Sequence, residues 1–156
     1  MRTLTSIAFL TAAVDQISKF LVLWGLNLDQ IRFYPVWPPF LQFRMAWNDG
    51  VNFGLFGSSS ELGRWILIAL ALAISCWIAL WARRERDNRR LQISGGLLIG
   101  GALGNVIDRV IFGAVADFLN MSLPGINNPF SFNLADVAVF FGAIGLVFFT
   151  QSHKTP

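Results

Sequence analysis

The sequence predicts an α-helical membrane protein with four transmembrane helices, and three observations carry that prediction. First, 54% of the 156 residues are hydrophobic and 13% are charged, with a mean hydropathy of +0.56, whereas ordinary soluble domains carry about 25% charge. Second, four apolar stretches are each long enough to form a span of about 20 residues. Third, Asp15, Lys19, Asp108, Arg109, Asp117 and Asp136 lie inside or against those stretches. A charge in a bilayer costs roughly 2.5 to 3.5 kcal/mol on insertion scales, so such residues mark a functional site by default. The chain has room for four spans and one modest elaboration outside the membrane, a single integral membrane domain over residues 1–156.

The first stretch, residues 4–24, follows Arg2 and is interrupted by Asp15, Gln16 and Lys19. No convincing small-residue cleavage site follows it, so it reads as a retained helix. Residues 65–82 contain no charge and form the second span. The third, residues 91–112, is uncharged as far as Ile107 and carries Gly96, Gly100 and Gly104, with Gly95 and Gly101 beside them. Glycines at four-residue intervals let helix backbones approach closely, which predicts a central position for this helix. The fourth, residues 133–149, is rich in Phe and Val.

Between the first two spans, residues 25–62 form a long loop containing Pro35, Pro38 and Pro39. Alternation at Leu41, Phe43 and Met45, with Trp47 following, predicts short strands in an interfacial aromatic belt. Residues 113–131 read as a second loop, with turns at Pro124-Gly125 and Asn128-Pro129.

Five of the twelve basic residues fall in the run Arg83-Arg84-Glu85-Arg86-Asp87-Asn88-Arg89-Arg90. Although the formal charge is +3, this clustering is a topology signal, and no nucleic-acid partner is expected. Basic loops stay cytoplasmic, so residues 83–90 and, with four spans, both termini are expected there, with both long loops outside. Cys76 is the only cysteine and His153, in the C-terminal tail, the only histidine. An internal disulfide, thiolate metal sites, histidine-ligated zinc and Ser-His or Cys-His catalysis are thereby disfavoured. Carboxylates are the main acid and base groups left, with no cofactor and no metal expected.

At a rise of about 1.5 Å per residue, Asp108 and Arg109 fall about 25 Å along the third helix, at its outer end. Asp117 follows just beyond, and Asp136 falls in the first turn of the fourth helix, with Asn133 as its N-cap. Asp15 and Lys19, at i and i+4, share one face of the first helix. They read as a partly buried ion pair supporting the site. Arg109 could equally snorkel to the interface, and Asp136 could serve the helix dipole. Together, Asp117 and Asp136 form a pair suited to sharing one proton in a poorly hydrated site. Such a pair can hydrolyse a peptide bond: one carboxylate removes a proton from water, and its protonated partner hydrogen-bonds the scissile carbonyl. In the first outer loop, residues 47–57 combine amides, glycines and aromatics, as a turn or as a substrate clamp in which Asn48 binds substrate backbone.

Several separated blocks, in order along nearly the whole chain, resemble the bacterial lipoprotein signal peptidase family, also called signal peptidase II. They are Asp15-Gln16-Ile17-Ser18-Lys19, the 48–54 segment, Gly101-Ala102-Leu103-Gly104-Asn105-Val106-Ile107-Asp108-Arg109, Val115-Ala116-Asp117-Phe118 and Phe132-Asn133-Leu134-Ala135-Asp136. The resemblance implies a small periplasmic β-cradle beside the four helices and a short mobile periplasmic loop or helix over the active site. It implies a metal-free aspartic dyad at Asp117 and Asp136. Asn48, Gly50, Asn105, Arg109, Asn133 and Ala135 fall among the residues that bind substrate or support the site, and Asp15, Lys19 and Asp108 on structural polar positions. The implied substrate is a prolipoprotein whose lipobox cysteine carries diacylglycerol and which is cut just before that cysteine. Membrane lipid, cyclic peptide inhibitors such as globomycin, a bacterial cytoplasmic-membrane location and a monomeric state complete the expectation. Family members often have small residues where this chain has Val51-Asn52, a departure that bears on cradle packing and inhibitor contacts.

Two rival readings follow from the residues. A small ion or proton transporter could use Asp15, Asp108 and Asp136 as a path, but the inner halves of the last three helices are nearly without polar lining. A Ser-Lys peptidase based on Lys19 would need Ser18, which faces elsewhere on the same helix.

Overall fold

A computed structural model of the chain describes residues 1–50 and 61–150. Helix α1 (Arg2–Phe20) continues into a π-helical turn, Leu21–Gly25, and then the short α2 (Leu28–Ile31). Two strands follow, β1 (Phe33–Trp37) and β2 (Leu41–Asn48), then helices α3 (Glu61–Arg84) and α4 (Arg89–Phe112), strand β3 (Val115–Met121) and helix α5 (Leu134–Thr150).

Three helical stretches, Arg2–Gly25, α3 and α4, are long and apolar enough to cross a membrane, while α5 is a shorter apolar helix of 17 residues. Their surfaces are inverted relative to a soluble protein: Phe9, Ile17, Leu70, Phe140 and Phe148 are all exposed. Hydrocarbon outside the protein removes the penalty for such exposure, and the helical backbone satisfies its own polar groups.

Helix α4 is the centre of the bundle. Half of its apolar window is buried, against 22% for α3, and it packs against α1, α3 and α5. The glycine stripe explains the close approach. A Cβ on Gly100 would lie 2.6 Å from Thr11 Cβ, and one on Gly104 would lie 2.6 Å from Asp15 Oδ2, both on α1. On another face, Gly101 abuts the Ala135 carbonyl of α5. One apolar core joins Leu4, Ala8, Ile78, Ala82, Leu91, Leu98, Ile99 and Leu146 across α1, α3, α4 and α5. At the end carrying the 85–88 connection, Asn88 Oδ1 accepts from Leu91 N (3.0 Å) and caps α4.

The opposite end carries an antiparallel sheet in the order β1-β2-β3. The expected strand signal around Leu41 to Met45 falls in β2. The 113–131 segment, however, is not all loop, because residues 115–121 form β3. Val115, Ala116, Asp117 and Phe118 are all buried, so the period-two alternation that identifies a half-exposed strand is absent. Below the sheet, Met45, Ala116 and Phe118 pack on Val22, Leu23 and Leu28. Asn120 Nδ2 donates to the carbonyls of Asn128 (2.9 Å) and Phe130 (2.8 Å), tying the loop beyond β3 back against it.

Candidate active site

Sheet register brings the first carboxylate to its neighbours. Asn48 pairs with Val115 and Ala46 with Asp117, so Asn48 and Asp117 are diagonal neighbours on one face, within side-chain reach. Asn48 Nδ2 donates to Asp117 Oδ2 at 2.9 Å. Gly50, at φ +95°, turns the chain so that its N–H donates to Asn48 Oδ1 (2.9 Å) and fixes which end of that amide faces Asp117. Glycine adopts this conformation without the clash a Cβ would bring.

The second carboxylate is set by a helix cap. Asn133 Oδ1 accepts from Asp136 N (2.9 Å) while Asp136 Oδ2 accepts from Asn133 N (3.2 Å), a reciprocal arrangement like a capping box. With its oxygen committed to the cap, the Asn133 amide nitrogen turns to Asp117 Oδ1 at 2.6 Å and Asn105 Oδ1 at 3.2 Å. Asn105 Nδ2 in turn donates to Asp136 Oδ1 at 2.9 Å. Two asparagines therefore join Asp117 and Asp136 in one network, and all four carboxylate oxygens accept an N–H.

Beneath this network lies a buried ionic cluster. Lys19 Nζ sits 2.7 Å from Asp15 Oδ2 and 2.8 Å from Asp108 Oδ2, with both carboxylates fully buried. The free oxygen of Asp15 accepts from Ala135 N (2.9 Å), one residue before Asp136. Asp108 Oδ2 accepts from Ala116 N (3.1 Å), one residue before Asp117. Lys19 also donates to Asn105 Oδ1 at 3.3 Å. A lysine can only donate, so this contact holds the Asn105 oxygen toward Lys19 and its amide toward Asp136. The ionic cluster thus grips the backbone of both carboxylate-bearing elements.

Arg109, near the end of α4, is half-buried. Its Nη1 reaches Asn105 O at 3.5 Å, and its buried Nε has no partner among the described residues. Gln16, read from sequence only as a polar interruption of the first span, donates through Nε2 to Asp108 Oδ1 (2.8 Å) and to the Gly104 carbonyl (3.2 Å), joining α1 to α4. Its signal was its place between Asp15 and Lys19 in an otherwise apolar helix. Of the 47–57 segment, residues 51–57, Val51 and Asn52 included, lie outside the described residues.

Asp117, on the strand, is almost fully buried. Burial pushes its pKa up to about 6, with the nearby Asp136 charge adding to the rise and the Asn48, Asn133 and Lys19 interactions opposing it. A carboxyl that changes protonation near neutral pH, hydrogen-bonded through one asparagine to a second carboxylate, is suited to proton transfer.

Known proteins are similar to this chain in sequence and in fold. A sequence model of the family described as "Signal peptidase (SPase) II" matches residues 7–151. The lipoprotein signal peptidase of Methylorubrum extorquens (strain PA1) is 41% identical over 137 residues, covering 88% of this chain and 78% of that protein. The protein of the same name from Methylobacterium radiotolerans is 42% identical over 138 residues, with 88% and 79% covered. A solved structure described as a bacterial membrane enzyme, at 2.3 Å resolution, superposes with a TM-score of 0.79 at 26% identity, over 99% of this chain and 93% of its own. With a family model spanning nearly all of the sequence and relatives near 40% identity agreeing with it, this chain belongs to the signal peptidase II family.

Proposed function

We propose that this chain is a metal-free aspartic endopeptidase that removes the signal peptide from diacylglyceryl-modified prolipoproteins, with Asp117 and Asp136 as its catalytic dyad. The observation that carries the reading is the asparagine-linked network in which the two carboxylates share Asn133 as a common neighbour. In the reaction, the ionised carboxylate takes a proton from water as that water attacks the scissile carbonyl. The protonated partner hydrogen-bonds the carbonyl oxygen and then helps deliver a proton to the leaving amine. Arg109, Asn48 and Asn105 hold the substrate backbone, and Gly50, Asn133 and Ala135 support the site.

In this reading α5 is the fourth span. Its 17 residues reach about 25 Å, enough for a slightly thinned bilayer. The arginine-rich 83–90 connection and both termini are cytoplasmic, and the sheet and dyad face outward. The diacylglyceryl chains of the substrate remain in the bilayer while its scissile bond meets water and the dyad at the outer interface. Cleavage falls just before the lipidated cysteine, and a cyclic peptide such as globomycin occupies the same site uncut. The enzyme acts as a monomer in one bacterial cytoplasmic-membrane domain.

The test is a gel-shift cleavage assay on a diacylglyceryl prolipoprotein in liposomes. Asp117→Ala and Asp136→Ala are each expected to abolish cleavage while the folded protein still accumulates. Full activity in either variant refutes the dyad, and loss of wild-type activity to a chelator refutes the metal-free mechanism.

A further inference from the structure

At the membrane face away from the dyad, the last turns of α3 carry a feature the peptidase reading does not use. Trp77, Leu80, Trp81 and Arg84 line a groove of about 250 Å³. Their spacings of three, four and seven residues place them on one helical face. Trp77 and Trp81 stack with ring centroids 6.0 Å apart and planes at 23°. Trp77 is 65% exposed, whereas Trp81 is half-buried and packs in part against the interhelical core.

Charge distinguishes this groove from an ordinary lipid-facing stripe. Arg83, Arg84, Arg86, Arg89 and Arg90 outnumber Glu85 and Asp87, and among the described residues none of the seven enters an ion pair. Arg90 lies over the Phe149 ring, its guanidinium carbon 5.5 Å from the centroid, and Arg86 Nε donates to the Arg83 carbonyl at 3.2 Å. Among the described residues Arg84 has no such partner, and it borders the aromatic groove. From Arg84 the two indoles lie roughly 4.5 and 10.5 Å further into the bilayer.

We propose that this groove seats one anionic phospholipid, with its phosphate on Arg84 and an acyl chain along Trp81 and Trp77. A guanidinium binds phosphate oxygens bidentately, the Trp81 indole less than one turn deeper sits at the interface while Trp77 lies deeper, along the acyl region, and basic clusters at a helix end attract anionic lipid. A zwitterionic headgroup would bring its own cation among five arginines. A second copy docking through the same face would set two arginine clusters against each other.

The test uses the full chain in phosphatidylcholine vesicles containing a minor fraction of phosphatidylglycerol, with bromine placed in the acyl chains of one lipid or the other. Bromine quenches indole fluorescence on contact, and the Trp77→Phe/Trp81→Phe double variant gives the background from the other tryptophans. The Trp77 and Trp81 component is expected to show about fivefold enrichment of phosphatidylglycerol over phosphatidylcholine at equal mole fraction. Arg84→Gln, at an exposed position, should abolish that preference, and Arg89→Gln should leave it. Equal quenching by the two lipids overturns the proposal. So does equal loss in Arg84→Gln and Arg89→Gln, which would mean diffuse attraction, and so does protection of the indoles from both lipids with cross-linking of two chains through this face.

Discussion

Asp117 shows how a single environment tunes a carboxyl for proton chemistry. Its pKa of about 6 stands above the 3.8 of an unperturbed aspartate, chiefly through burial. A raised carboxyl pKa means that the folded state binds the proton more tightly than the unfolded one. Its contribution to stability is therefore fully present below pH 3.8 and is lost as pH rises through about 6. Asn48 opposes the rise by donating to the ionised form, so Asn48→Ala should move the Asp117 titration to higher pH. Carbon-13 NMR of labelled aspartate, assigned with Asp117→Asn, reads this directly, and a titration that stays in place or moves down would contradict the account. Both carboxylates were legible in the sequence because each stands alone among apolar neighbours. Gln16 was less legible, since its role depends on α4 passing within hydrogen-bond reach.

The start of α5 joins a cap and a site in one side chain. Asn133 is fully buried; its oxygen caps the helix while its nitrogen serves Asp117 and Asn105. The two duties separate by substitution. Asn133→Ala removes both and should destabilise the protein by about 1 to 2 kcal/mol. Asn133→Ser keeps a capping oxygen, so its stability should lie within about 0.5 kcal/mol of the native protein. The serine loses the amide donation to a charged group, which predicts a fall in cleavage rate of about tenfold to a hundredfold. Thermal unfolding in detergent and the cleavage assay together check this, and a Ser variant as active as the native protein would mean that the donation is dispensable. The cap was visible in sequence as Asn followed three residues later by Asp, and the central helix as a run of spaced glycines. Strand β3 was not visible: burial of both faces erased its alternation, and its existence depends on pairing with β2 some seventy residues earlier. The π-helical turn after Phe20 likewise leaves no period of its own in a uniformly apolar stretch.

For the whole molecule, the Asp15-Lys19-Asp108 cluster is the device that turns three helices and a strand into one site. Local signals identify Asp15 and Lys19 as a pair on α1, but the pair alone would not order α4, β3 and α5. The ordering comes from further hydrogen bonds to these carboxylates: Asp15 Oδ1 accepts from Ala135 N, and Asp108 Oδ2, which also faces Lys19, accepts from Ala116 N, each one residue before Asp136 or Asp117. Buried charges of this kind contribute little net stability, yet removing one partner leaves the others uncompensated. Lys19→Met should therefore destabilise the protein by about 3 to 5 kcal/mol, because two buried carboxylates then face each other without a cation. Neutralising them should restore it. In the triple variant Lys19→Met/Asp15→Asn/Asp108→Asn, the new amide oxygens can still accept from Ala135 and Ala116, while no buried charge is left unpaired. Apparent unfolding temperatures in one detergent are expected to fall sharply for the single variant and return most of the way for the triple. If the single variant unfolds at the native temperature, Lys19 does not compensate the two acids, and the link from α1 to the elements carrying Asp117 and Asp136 would have to rest on Gln16 and the glycine-mediated packing alone.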